Sequence, residues 1–286
     1  MNEQTRSTAS RVYDSAKHLP PIGPYLRETL FHLAFAYEKA KLDLRATHKE
    51  TWLGRLWNVL NPLLLGAVYW LLVIVIFGRA GNLFDPDEFR VLAQILGGLF
   101  LFSLPSSALS LGARSIVGGG AFVLNTRLPR MILPLGSVIS AVLTFWPSLL
   151  VYAIFHLIAD YPMGWHLLWC LPIILLLAVI TTGLTIAIAT LNVYFRDVAS
   201  FLPYVTRIWL YLTPIIYLYE NIPQGLRAAL YFNPIGTLFA AWQQVLFEGR
   251  PPDLGFLAMG AFWSALSLGA GVLTFLRRER EFAVRI

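Results

Sequence analysis

Arg207 is the residue in this chain whose chemistry is hardest to set aside. It stands about eight residues into an apolar segment that opens near Ala199, or roughly 12 Å along a helix rising 1.5 Å per residue. A guanidinium facing lipid at that depth costs several kcal/mol unless its long stem carries the charge back to water. Either it snorkels in this way, or it faces a cavity, where its planar donor fork suits two phosphate oxygens. Arg196 and Asp197 close the preceding apolar segment. They either satisfy each other at a helix end or pin the turn near an entry. Tyr204, Tyr211, Tyr217, Tyr219 and Trp209 enrich the same region in aromatics, and Tyr69, Trp70 and Phe77 do so in an earlier apolar run. Anchoring at the membrane–water boundary accounts for those near the ends.

Other chemistries are poorly supplied. The pattern GxxxxGK[ST] is missing, and Lys17, Lys39, Lys41 and Lys49 all precede residue 50. No glycine-rich loop can therefore bring a lysine to nucleotide phosphates. There is no HExxH and no CxxC, so neither catalytic residues nor metal ligands are assigned. The single cysteine, Cys170, lies in an apolar run and reads as a small apolar residue. His156 and His166 bracket Asp160. Loop polarity explains the three more simply than a transferase site does.

The elements that must position these residues follow from composition. Of 286 residues, 57% are hydrophobic and 13% charged, against about 25% charged in soluble domains. Several runs reach the roughly 20 apolar residues that cross a bilayer. We expect an all-α integral membrane fold with six spans at about 58–78, 91–112, 132–158, 167–192, 199–219 and 257–276. If the N-terminus is cytoplasmic, Arg79, Arg90, Arg227 and Arg250 are the outside cations and the other 18 of the 22 Lys and Arg lie inside. This asymmetry puts both termini of a multi-pass chain in the cytoplasm. It also explains the net charge of +6 without nucleic acid. Residues 1–56 read as a cytoplasmic segment whose Leu26, Leu30, Leu33 and Tyr37 recur at helical spacing, an amphipathic helix lying on the membrane surface. Residues 57–286 form the membrane domain.

Segment 220–256 is too interrupted to span a bilayer and too apolar for an ordinary loop. It breaks at Asn233-Pro234, since the residue before proline avoids helix. Leu230 precedes the break, and Phe239 and Trp242 follow it. The segment is either a hairpin resting on the outer surface or a re-entrant helix pair that narrows an exit. Non-helical backbone at membrane depth requires burial in protein or a cavity to line.

Five motifs in order then carry a resemblance. Leu42-Asp-Leu-Arg-Ala-Thr-His-Lys-Glu-Thr-Trp-Leu-Gly-Arg-Leu-Trp57 precedes Asn61-Pro62. Asn125-Thr-Arg-Leu-Pro-Arg-Met-Ile-Leu-Pro134 follows, with Leu128 where an aromatic residue is usual. Asn192-Val-Tyr-Phe-Arg-Asp197, Thr213-Pro-Ile-Ile-Tyr217 and Asn233-Pro-Ile235 complete the set. Over about residues 40–280 the chain resembles the ABC-2 type permeases that export polysaccharides, among them O-antigen, teichoic acid, capsule and galactan exporters.

That resemblance implies the transmembrane subunit of an ATP-driven exporter. It implies a homodimer paired with two copies of a separate ATP-binding subunit, and a lipid-linked polysaccharide moved from the cytoplasmic to the outer face. No cofactor is expected in this chain, because ATP and magnesium belong to the partner. Residues 113–130, with Arg114, Phe122, Arg127 and Arg130, become the ATPase-coupling region. Arg196 and Arg207 become candidates for substrate entry and for the lipid carrier's phosphate. Tyr69, Trp70, Tyr204, Tyr211, Tyr217 and Tyr219 become a glycan-stacking surface. Leu230, Asn233, Pro234, Phe239 and Trp242 become an outer gate. An integral-membrane transferase for lipid-linked sugars and an ABC-2 exporter of drugs or lipids are the alternatives.

Overall fold

A computed structural model describes residues 22–47, 53–76, 86–120, 126 and 128–286. Among these every regular element is helical. In chain order they are α1 (Ile22–Phe31), α2 (Leu33–Thr47), α3 (Trp57–Ile76), α4 (Pro86–Gly118), α5 (Ile132–Ile158), α6 (Cys170–Tyr194) and α7 (Val198–Leu212). Then come α8 (Gln224–Arg227), α9 (Ala229–Phe232), α10 (Gly236–Leu246), α11 (Leu254–Arg278) and α12 (Phe282–Arg285). Four stretches are long and apolar enough to cross a membrane: Phe89–Gly118, Ile132–Ile158, Trp165–Tyr194 and Leu254–Glu281. The expected first span coincides with α3, whose described apolar run is the shorter Val59–Leu72.

The expected fifth span departs from expectation. It was placed at 199–219, but α7 ends at Leu212 and Thr213 is extended (φ −99°, ψ 140°). Pro214 disfavours helix at the residue before it. The helix that remains, 15 residues, is about 22 Å long, short of the roughly 30 Å of a bilayer core.

The N-terminal helix also differs in detail. His32 interrupts it between α1 and α2. The face packed on protein is not the large apolar stripe. Thr29, Ala36 and Ala40 are buried, whereas Leu30 and Tyr37 are 63% and 42% exposed. The cause is close approach: a Cβ on Gly136 of α5 would sit 3.7 Å from the Ala36 carbonyl oxygen. Leu26 is half-buried against a second core cluster, while Leu30, Phe31, Phe35 and Leu42 are left on the exterior.

Helices α6 and α11 form the tightest pair. A Cβ on Gly183 would come within 2.3 Å of the Ser267 carbonyl carbon and oxygen, and one on Gly271 within 2.2 Å of the Gly183 carbonyl oxygen. Ser264 Oγ donates to the Leu176 carbonyl across the crossing at 3.1 Å. Small residues let helix backbones meet where lipid supplies little hydrophobic drive.

The main core gathers Phe100, Leu104, Phe145, Ile180 and Ile215 around α10. Every residue from Ile235 to Leu246 is buried. Phe239 and Trp242 are 1% and 2% exposed, and Leu230 of α9 is 5% exposed. The segment after the Asn233-Pro234 break is thus interior to the bundle, whereas α8 and most of α9 before it are exposed, Leu226 and Phe232 at 62% and 80%.

Candidate functional site

Arg207 faces a cavity of about 770 Å³ bounded by α3, α4, α5 and α7. Its guanidinium has no hydrogen bond or ion pair among the described residues. Tyr69 and Tyr211 stand on the same walls. Tyr69 Oη donates to Tyr211 Oη at 3.1 Å, and the rings meet edge-on with centroids 6.2 Å apart. Across from them α4 presents Ser103, Ser106, Ser107 and Ser110, whose i, i+3, i+4, i+7 spacing is one helix face. Ser103 Oγ donates back to the Phe100 carbonyl at 2.6 Å. The hydroxyls of Ser106, Ser107 and Ser110 have no partner among the described residues. The arrangement offers one fixed cation, an aromatic pair and a hydroxyl ladder inside otherwise apolar walls. Such a lining can hold an anion and exchange hydrogen bonds with a polyol, and it offers no nucleophile paired with a base.

The short helix α7 is held in place by two amides. Asn233 Oδ1 accepts from the Trp209 indole N–H at 2.8 Å and from the Ile235 amide at 3.2 Å. Asn233 Nδ2 donates to the Leu212 carbonyl at 3.3 Å and to the Thr213 hydroxyl at 3.1 Å. Gln243 Nε2 donates to the Pro214 and Tyr217 carbonyls at 2.8 and 3.0 Å, while its Oε1 accepts from the Tyr219 amide at 2.9 Å. The backbone groups released where α7 stops are therefore satisfied by the segment that follows. Orphaned groups there would cost about 1–3 kcal/mol each.

The remaining expected site residues separate. Tyr204 is 65% exposed and lies near Phe201 outside the cavity. Trp70 is half-buried against the main core. Tyr217 Oη donates to the Tyr211 carbonyl at 3.3 Å. Tyr219 Oη accepts from Gln244 Nε2 and from Arg250, each at 3.1 Å, in a cluster with Asp253. Pro234 is half-buried beside Asn233. Arg196 and Asp197 are exposed and do not pair with each other; the turn is pinned instead by buried Asn192, whose Oδ1 accepts the Ala199 amide at 3.0 Å. The sequence reading quoted Asn192 within a motif without giving it a role, and it missed the serine ladder and Gln243. The signals present were the serine spacing and two adjacent glutamines, Gln243-Gln244, in an apolar helix.

On the opposite end of α4, Arg114 is exposed and borders a smaller cavity with Lys39 and Ser137. Phe122 and Arg127 lie outside the described residues. Arg130 is committed elsewhere: its amide donates to Glu279 Oε1 at 3.0 Å and its guanidinium to the Glu279 carbonyl at 2.5 Å. Tyr25 Oη donates to the same carboxylate at 2.7 Å. Burial, with the Glu279 charge beside it, pushes the Tyr25 phenol well above its usual range. The clasp joins α1, the residues before α5 and the C-terminal segment. His156 and His166 each turn a ring nitrogen to the Pro162 carbonyl, at 3.3 and 3.2 Å. Among the described residues no group of three His, Cys, Asp or Glu is placed to hold a metal.

Comparison with known proteins now bears on this geometry. The ABC-2 type transporter profile matches residues 43–247. The chain belongs to that family. It is 28% identical over 242 residues to an O-antigen export system permease protein, RfbA, of Klebsiella pneumoniae, covering 84% of this chain and 90% of that one. It is 27% identical over 265 residues to the RfbA of Myxococcus xanthus, covering 91% and 98%. As an ABC-2 permease the chain is a transport subunit, and ATP hydrolysis falls to a separate subunit.

Proposed function

We propose that this permease, as two copies with two ATP-binding subunits, moves a lipid-linked polysaccharide from the cytoplasmic to the outer face of a bacterial inner membrane. The observation that carries this reading is the cavity in which unpaired Arg207 faces the Tyr69–Tyr211 pair and the α4 serines. The guanidinium suits the phosphate that joins glycan to lipid, and the hydroxyls and rings suit a sugar chain. The cavity opens on the side where α3 and α7 expose Leu65, Val68, Ile208 and Leu212. A second copy there would close it, and the helices of one copy are few to enclose a glycan alone. In this arrangement both termini are cytoplasmic, Arg114 lies on the surface that meets the ATPase, and α8 to α10 form the re-entrant pair. The burial of α10 within the bundle, with Leu230 of α9 against it, supports a closing element at the exit.

The test uses a strain lacking its own copy of the gene and measures glycan at the cell surface. Arg207→Leu is expected to abolish export at unchanged membrane abundance, while Arg207→Lys keeps part of it. Normal export by Arg207→Leu would show that the cation is idle and would remove the phosphate contact from the reading.

A further inference from the structure

A second cleft, of about 440 Å³, lies where α2 crosses the start of α3 and the middle of α5. Its floor is apolar, formed by Leu53, Val59, Leu143 and Pro147, and its rim carries Lys41 and Arg45. The two cations are one helical turn apart on α2, on the side away from Asp43, which Lys39 occupies. Glu38 is the acid facing this rim; it pairs with Lys41 at 3.5 Å. Lys41 also lies over the Tyr37 ring, 5.4 Å from its centroid. Arg45 is exposed and has no acidic partner among the described residues. Rim and floor together therefore carry an uncompensated positive charge above an apolar slot.

The level of this cleft is marked independently. On α3, Trp57 is 36% exposed, and apolar exposure continues from Leu64. Tryptophan concentrates where headgroups meet acyl chains, and Trp57 stands at the start of α3 beside the cleft residues Leu56 and Val59. Leu30, Phe31, Phe35 and Leu42 give the N-terminal helices an apolar exterior suited to the same depth.

We propose that this cleft holds an anionic phospholipid of the cytoplasmic leaflet, its phosphate between Lys41 and Arg45 and one acyl chain along Leu143 and Val59. The proposal rests on the orientation given under the proposed function, but not on the cargo. Basic pockets between membrane helices on the cytoplasmic side favour acidic headgroups. The bound lipid would fasten α2 to the bundle at the place where its own contacts are small, at Ala36 and Ala40. The cleft shares Thr144 with the Arg207 cavity, so the lipid would also form part of that cavity's wall.

The full-length chain can be extracted from membranes containing phosphatidylglycerol and phosphatidylethanolamine, washed, and its retained lipid quantified by mass spectrometry. The wild type is expected to enrich phosphatidylglycerol about fivefold or more over its bulk ratio. Lys41→Gln with Arg45→Gln should return the ratio to bulk, and Leu143→Trp should lower retained lipid with the charge intact. Inorganic phosphate should not compete, having no chain for the floor. Arg207→Leu should retain the enrichment, which separates failure of this site from failure of the cargo reading. Unchanged enrichment in a monodisperse double-glutamine variant overturns the proposal. So does displacement of phosphatidylglycerol by equimolar polyprenyl phosphate, which would assign the cleft to the cargo's path.

Discussion

The α6–α11 pair and the walls of the Arg207 cavity are built from opposite materials. Where α6 meets α11, Gly183, Ser264, Ser267 and Gly271 let backbone touch backbone, and neither helix carries a proline in its interior. Each of the four helices around the cavity carries one: Pro62 in α3, Pro105 in α4, Pro147 in α5 and Pro203 in α7. A proline inside a helix removes one intrahelical hydrogen bond and bends the axis. The charge also divides: Arg207 and the serine face of α4 lie on the proline-bearing side, whereas the α6 hydroxyls without a partner among the described residues, Thr181 and Thr185, are sealed in the packed interior. The comparison teaches that one half of the bundle is shaped for contact and the other for holding space open between helices.

The sharpest way to break this comparison is at the contact. Gly183→Leu places a side chain against the Ser267 backbone, which no rotamer change can move aside. Overpacking in yielding cores costs about 1–3 kcal/mol, and this site cannot yield. We expect little monodisperse protein by gel filtration, and a folded, stable variant would refute the rigid-pair description. Next in size is Asn233→Ala. It strands the Trp209 indole, the Leu212 carbonyl and the Ile235 amide, so a loss of about 2–4 kcal/mol is expected, read as a lowered thermal midpoint in detergent.

Pro203→Ala sharpens the contrast from the cavity side. The proline lines the cavity, and its replacement restores a backbone donor in α7. Thermal stability should hold or rise, with export reduced several-fold; an unchanged export rate would mean that the bend has no part in shaping the site. The smallest effect belongs to Gly269→Ala. A Cβ there meets nothing within 4 Å, so the change should be neutral or stabilising by up to about 1 kcal/mol, again in the thermal midpoint. A marked loss would place a contact on a face of α11 that is open in this structure.

Much of the helix layout was legible locally. The span expected at 132–158 is observed at Ile132–Ile158, because a long, predominantly apolar run without a charged residue, bounded by Pro129, Arg130 and Asp160, leaves few alternatives. The break at Asn233-Pro234 was readable from the restriction that proline places on its predecessor, and Asn233 is extended there (φ −83°, ψ 118°). The same rule was available at Thr213-Pro214 but was outweighed by the apolar residues beyond it, so the fifth span was drawn too long. The candidate site was legible in part. Arg207, Tyr69 and Tyr211 share a cavity, whereas Tyr204 and Tyr219 do not, although Tyr204 and Tyr211 stand in the same apolar run of the sequence.

Composition, charge asymmetry and proline placement are properties of the chain taken a few residues at a time. They determined that this is a helical membrane protein, where its long helices run, and where two of its segments must stop. The tertiary structure alone decided that α10 is interior, that Arg130 is bound to Glu279 while Arg207 finds no partner among the described residues, and that four serines of an apolar helix face a cavity. Each of those outcomes depends on which neighbour a side chain meets across a helix crossing. That neighbour lies tens to hundreds of residues away, as Arg130 and Glu279 do at a separation of 149, and periodicity within one helix carries no information about it.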